Sequence, residues 1–136
     1  MTELALRAKA HWGYDAAFIE DCRAELTITA EFIENCVVRV LDAGEGPVAF
    51  YSLERHGDEV ELAHFFVEPV QIGNGYGKQM WHDALNTARS LGYPSMLITS
   101  DPFAEGFYLA MGAERIGVIP SSLRPGRELP LMRFGL

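Results

Sequence analysis

The spacing of apolar and polar positions changes period several times along the chain, and each change marks an element. In residues 1–13, Leu4, Leu6 and Trp12 fit a short strand or a helical arm equally. Over Ala16 to Leu26 the period is helical: Phe18, Ile19, Cys22 and Leu26 share one face, and Asp15 stands where an N-cap belongs. Thr29 caps a second short helix, Ala30 to Asn35, with Glu31 in its first turn at the positive end of the helix dipole. From Cys36 the period drops to two or becomes continuously apolar. Val37–Leu41, Val48–Leu53 and Glu59–Val67 then read as three strands. Turns at Asp42–Gly46 and His56–Asp58 join them into an antiparallel meander.

The longest helical pattern follows, Lys78 to Leu91, with Met80, Trp81, Ala84, Leu85, Ala88 and Leu91 on one face. Gly92 stops it and Pro94 prevents its continuation. Ser95–Ser100 is the next strand. A crossover helix separates it from Glu59–Val67, so the two should run parallel. Asp101-Pro102 should open a helix over Phe103–Met111, with proline in the first helical position and Gly112 at the close. Arg115–Ile119 and Leu129–Phe134 read as closing strands around an irregular loop. The fold class is therefore α+β: a mixed, mostly antiparallel sheet with one parallel strand pair, flanked by helices. At 136 residues it should be one domain, 1–136.

Composition narrows the function. With 49% hydrophobic and 22% charged residues the chain can bury a core. A net charge of −8 argues against nucleic acid and anionic membranes as partners; it can attract a cationic amine, and it equally fits a merely solvated acidic surface. No apolar run approaches the roughly 20 residues of a membrane helix, and the start lacks the features of a signal peptide. Cys22 and Cys36 sit singly in apolar-patterned stretches, as reduced thiols of a cytoplasmic protein would. His11, His56, His64 and His82 show no metal-type spacing, so no metal is expected.

The densest chemical signal lies between the third strand and the long helix. Pro69 is followed by Gly73, Gly75, Gly77 and Lys78. A strand, a glycine-rich turn and a helix start make an anion site: backbone N–H groups converge, and the helix dipole adds to them. A nucleoside-triphosphate loop would need Gly where Ile72 stands and Ser or Thr after Lys78, where Gln79 follows. A dinucleotide loop needs one more residue between its last two glycines. Ile72-Gly73-Asn74-Gly75-Tyr76-Gly77 is closest to a third pattern, Q/R-x-x-G-x-G/A, with Ile72 as the departure. Val67-Glu68-Pro69 matches V-x-P before it. Asp101-x-x-Ala104-x-x-Phe107-Tyr108-x-x-x-Gly112 matches N-x-x-A-x-x-(F/L)-Y-x-x-x-G, with Asp101 in place of Asn.

Together with the element order, these motifs resemble the GNAT acetyltransferases, most strongly over Glu59–Gly112, with the first strand short or missing. The resemblance implies an acetyl-CoA-dependent N-acetyltransferase. It places Ile72 to Lys78 at the pyrophosphate, and the backbone of Phe65, Phe66 and Val67 along the pantetheine arm. Asp101, Ala104, Phe107 and Tyr108 complete the CoA site. Tyr108 is implied as the acid near the thioester sulfur. Glu61, eleven residues before Ile72, has an offset similar to that of the family's glutamate bases. His64 and Glu68 are the alternatives, although His64 faces the other side of an ideal strand unless a bulge intervenes. The implied partner is an amine acceptor, small molecule or protein; a homodimer stays open. His11, Trp12 and Tyr14 either line the acceptor pocket or pack a helix. Two rival readings remain: a GNAT-fold module that binds acyl-CoA without turnover, and an unrelated nucleotide-binding domain.

Overall fold

The computed structural model describes residues 1–44 and 46–136. Six strands form one sheet: β1 (Val37–Asp42), β2 (Pro47–His56), β3 (Glu59–Val67), β4 (Ser95–Thr99), β5 (Glu114–Pro120) and β6 (Glu128–Gly135). Their spatial order is β1-β2-β3-β4-β6-β5, and the pair β3–β4 is parallel while the other neighbours are antiparallel. The helices are α1 (Thr2–Ala10), α2 (Ala16–Leu26), α3 (Ala30–Asn35), α4 (Tyr76–Ser90) and α5 (Glu105–Ala110). The β3–α4–β4 unit is the crossover anticipated from the period change, and α5 carries a second one from β4 to β5, past the place that β6 takes. The Asp42–Gly46 turn has Gly44 and Gly46 at φ +101° and +105°, and its Glu45 lies outside the described residues.

Burial explains why the strands alternate as they do. On one face of the sheet, Leu53, Val60, Leu62, Met96, Ile98 and Met132 pack against Trp81, Ala84, Leu85 and Ala88 of α4. On the other, Phe50 joins Leu4, Ala5, Leu6, Phe18, Cys22 and Leu26 of α1 and α2. β2 is buried on both faces, which is why its apolar run is nearly continuous. The N-terminal ambiguity resolves to a helix: Leu4, Ala5 and Leu6 are all buried, and a solvent-edge strand would have exposed one of them. Asp15 and Thr29 cap α2 and α3 as their positions suggested, accepting from the N–H groups of Phe18 and Phe32.

Three local expectations change. α4 begins at Tyr76, two residues earlier than Lys78, because Gly75 takes the left-handed N-cap conformation at φ +81°. Gly77 is therefore helical and not part of the loop. α5 begins at Glu105, and Pro102 is not its first residue. The Asp101 carboxylate accepts from Phe103 N–H and the Asp101 carbonyl from Ala104 N–H, so Asp101 closes a turn before the helix. The third change is a bulge in β3. Ser52 lies opposite His64, but Leu53 lies opposite Leu62, which leaves Ala63 as an extra residue.

The bulge and the crossover together open the sheet. β3 pairs with β4 only at Val60–Met96 and Glu61–Leu97. Beyond Glu61 the two strands diverge, so one backbone edge of Leu62–Val67 has no strand beside it.

Candidate active site

A cavity of about 800 Å³ occupies this divergence. Its walls come from β3, the glycine loop, α5, the end of α1, the end of α2 and the start of the last loop. The glycine loop closes one end. Pro69–Gln71 forms a single 3-10 turn, and Asn74 donates to the Gln71 side chain at 2.8 Å, which holds the loop in place. The first α4 donor to find a carbonyl is Gln79 N–H, at 3.1 Å from Gly75 O. Among the described residues, the N–H groups of Gly73, Gly75, Tyr76, Gly77 and Lys78 donate to no protein carbonyl. Five free donors at the positive end of a helix of 15 residues suit a doubly charged phosphate group. Ile72, the departure from the motif, is exposed, and its N–H already donates to the Pro69 carbonyl at 3.2 Å.

Glu61 stands on the wall away from the loop, on the face of β3 opposite Val60 and Leu62. The Thr99 hydroxyl donates to its Oε1 at 3.1 Å, and His56 Nε2 lies 3.2 Å from its Oε2. Glu54 joins this pair so that donor atoms of Glu54, His56 and Glu61 lie within 4.8 Å of one another. Histidine spacing alone gave no hint of that cluster. It sits on the β2–β3 hairpin and reads as a hydrogen-bonded support for Glu61.

Because of the bulge, His64 shares the face of Glu61. Its Nδ1 lies 2.8 Å from Ser52 Oγ and its Nε2 3.4 Å from the Glu25 carbonyl, with Phe32, Phe50 and Phe66 around the ring. Burial holds its pKa below the ordinary imidazole value. It is neutral at pH 7, and both nitrogens are engaged. Glu68 leaves the list of bases: Arg7 clamps both carboxylate oxygens at 2.8 and 2.7 Å and holds its pKa below the usual carboxylate range.

Tyr108 lies across the cavity on α5, its ring against Phe65, Trp81 and Phe107. Among the described residues no group hydrogen-bonds its hydroxyl. Burial, helped by the negative charge of Asp101, pushes the phenol well above its ordinary pKa, so the proton stays on. Phe107 and Ala104 line the cavity beside it, and Trp81 is a fully buried core residue.

Asp101 also reaches the cavity, but its carboxylate is already occupied. Lys9 Nζ lies 3.0 Å away, Arg127 lies 3.5 Å away, and the Tyr14 hydroxyl donates at 3.0 Å. Arg127 donates to Tyr14 as well, at 2.8 Å. This explains the acid where the motif has an amide: two cations from distant segments converge on it. Of the aromatic N-terminal patch, His11 and Trp12 line the cavity, while Tyr14 stacks on Phe18. Lys9, Glu25, His56, Thr99 and Arg127 escaped the sequence reading, because each enters through a contact between segments far apart in the chain. A smaller groove of about 320 Å³ between β1 and α4 carries no comparable set, since Tyr51 and Arg39 are both tied to Asp83.

A family model described as an acetyltransferase (GNAT) domain matches residues 15–119. No curated protein matches the chain by sequence. Several solved structures share its fold. PaiA N-acetyltransferase from Thermoplasma acidophilum, in complex with coenzyme A, superposes with a TM-score of 0.77 at 16% identity, over 99% of this chain and 90% of that one. A GCN5-related N-acetyltransferase from Rhodopseudomonas palustris gives a TM-score of 0.81 at 15% identity, over 99% and 87%. A GNAT family acetyltransferase from Elizabethkingia anophelis with acetyl-CoA bound gives 0.72 at 15% identity, over 98% and 89%.

Proposed function

The chain belongs to the GNAT acetyltransferase family, and on that premise we propose that it moves the acetyl group of acetyl-CoA to a primary amine by direct attack. The observation that carries the reading is the pairing, in one cavity, of five unpartnered loop N–H groups with Glu61 and the free Tyr108 hydroxyl.

The donor set fits the proposed cosubstrate. The loop N–H groups from Gly73 to Lys78 match a pyrophosphate. The unpaired edge of Leu62–Val67 offers alternating N–H and C=O groups to the amides of a pantetheine arm, as an edge strand does. Bound there, acetyl-CoA supplies an activated thioester carbonyl. The protein's work is to hold the amine and the thioester near attack geometry and to manage two protons.

Glu61 receives a proton from the incoming ammonium, directly or through one water. The Thr99 hydroxyl fixes the carboxylate for that role. His64 braces the wall between β3 and α2 and takes no proton in this scheme. Tyr108 donates a hydrogen bond to the sulfur as negative charge develops on it. An ordinary phenol has a pKa near 10 and a thiol near 8.5, and burial widens that gap. Outright transfer from Tyr108 is therefore uphill, and the donated hydrogen bond is its contribution, with solvent delivering the proton late. The cytoplasm, where acetyl-CoA is available and free thiols persist, is the proposed compartment.

The test has two arms. Acetyl-CoA should raise the melting temperature by mass action, and ATP or NAD should raise it much less. An amine panel should then release CoA thiol in step with amide formation. Equal shifts from NAD and acetyl-CoA would remove the cosubstrate. Binding of acetyl-CoA with no thiol release on any amine would leave a sensor and not an enzyme.

A further inference from the structure

We propose that Glu54, His56 and Glu61 form a binding site for a zinc ion, and that zinc bound there withdraws Glu61 from the acetyl-transfer cavity. The withdrawal rests on the reading of Glu61 as the base; the site itself does not.

The geometry comes from the β2–β3 hairpin. From Leu53 to His56 the ladder is regular, and the Ala63 bulge lies beyond it. Glu54 and Glu61 are direct cross-strand partners, and His56 stands two residues after Glu54. Side chains two apart on a strand share one face, and so do side chains directly opposite. The three therefore project together from a paired two-strand scaffold, and their ligand atoms lie within 4.8 Å of one another. His56 Nε2 is 3.2 Å from Glu61 Oε2 and 3.8 Å from Glu54 Oε1. A tetrahedral zinc ion with bonds of about 2.0–2.2 Å holds its ligand atoms roughly 3.3–3.6 Å apart. The two observed spacings bracket that range.

Charge points the same way. Two glutamates directly opposite on neighbouring strands repel each other. Among the described residues, no lysine or arginine pairs with either of them, and His56 is their shared neighbour. A divalent cation between them removes the repulsion. The imidazole selects the metal: its nitrogen suits zinc, whereas magnesium and calcium take oxygen ligands in larger number. Three protein ligands leave a fourth position for water. His56 is exposed, so the path from solvent is open. Histidine and cysteine spacing cannot reveal such a site, because two of its three ligands are glutamates.

Glu61 faces two settings at once. Its Oε1 accepts from Thr99, which lines the cavity, and its Oε2 faces His56. With Oε2 on zinc and Oε1 on Thr99, both oxygens are engaged. A carboxylate bonded to a cation takes up a proton poorly. An ammonium entering the cavity then meets no base.

Calorimetric titration of the chelator-dialysed protein with zinc chloride tests the site. The wild type should bind zinc at the cluster, and magnesium or calcium chloride at the same concentrations should not bind. His56→Gln and Glu54→Gln should each weaken zinc binding about tenfold or more, while Cys36→Ser leaves it intact. Initial rates, read as acetylated amine, should fall about tenfold or more in the wild type when zinc fills the site, and EDTA should restore them. The same zinc should change the rate of His56→Gln far less, relative to that variant's own rate in EDTA. A retained thermal shift with acetyl-CoA shows that each variant is folded. No zinc binding to the wild type, or binding that survives both glutamine variants, overturns the site. Binding that only Cys36→Ser abolishes places the ion on the thiol and overturns it equally. Binding at the cluster with an unchanged rate overturns the withdrawal of Glu61. No turnover on any amine in EDTA refutes acetyl transfer and the withdrawal with it, and the titration still decides the site.

Discussion

At the scale of single residues, the site separates groups that hold a proton from groups that can take one. Tyr108 holds its proton because burial opposes the phenolate. Phenylalanine at 108 keeps the ring contacts with Phe65, Trp81 and Phe107 and removes only the donor. We expect Tyr108→Phe to lower kcat by about 10²-fold, as loss of one placed acid does, with acetyl-CoA affinity and melting temperature little changed. Joint loss of stability and binding would mark the hydroxyl as structural. Glu61→Gln should reduce the rate most near neutral pH and recover partly as pH rises and free amine accumulates; a wild-type pH–rate profile in that variant clears Glu61. His64 has a different signature. Its folded pKa is depressed, so in the unfolded chain it binds a proton more readily. Its contribution to stability is complete above the unfolded value of about 6.5 and is lost as pH falls from there towards the lower folded value. Urea unfolding between pH 7.5 and 5.5 should show this slope in the wild type and a flatter one in His64→Gln. Equal slopes would exclude His64 from the pH dependence.

At the scale of elements, the three glycines of the motif are not equivalent. Gly75 needs φ +81°, which costs a residue with a Cβ roughly 1–2 kcal/mol. Gly77 is in the first turn of α4, and a Cβ there meets only the Phe107 ring at an ordinary 3.5 Å. Gly75→Ala should therefore lose about 1–2 kcal/mol in chemical denaturation, while Gly77→Ala should lose nothing measurable. Gly75→Asp adds a carboxylate among the free N–H groups and should abolish the thermal shift with acetyl-CoA. A folded Gly75→Asp protein with normal affinity would take the loop out of the site. The same element view explains the short α5. The Asp101 turn consumes Pro102 to Ala104, so α5 begins just where Phe107 and Tyr108 can face the divergence of β3 and β4.

At the scale of the whole molecule, Asp101 fastens the end of β4 to the segments gathered in the α1–α2 core. It ties α1 through Lys9, the segment before α2 through Tyr14, and the last loop through Arg127 to the end of β4. The side chains of Asp101, Lys9 and Arg127 are 12%, 15% and 17% exposed, so water screens them little. Asparagine, the residue of the motif, would leave two cations without their counter-charge. We expect Asp101→Asn to cost about 2–4 kcal/mol in urea unfolding and to raise acceptor KM by loosening α1 and the loop at Ser122. A variant as stable as the wild type would show that the ion cluster contributes no net free energy.

The sequence determined the parts whose signal is local. Helical periods, caps at Asp15 and Thr29, the Glu59–Val67 strand, the crossover and the glycine loop depend on residues within a few positions of one another, and all appear as elements in the fold. The free N–H groups from Gly73 to Lys78 were equally legible, because glycine spacing and a helix start are both short-range. Tertiary structure decided the rest. One extra residue, Ala63, turned His64 to the face of Glu61, and a strand's alternation cannot announce a bulge set by its neighbour's register. Arg7 removed Glu68 from the candidate bases across 61 positions of sequence. Lys9 and Arg127 gave Asp101 its reason, and Ser122 met Glu25 across 97 positions. Such groups carry no pattern of their own, since a charge acquires its role from whatever the folded chain places within about 4 Å of it.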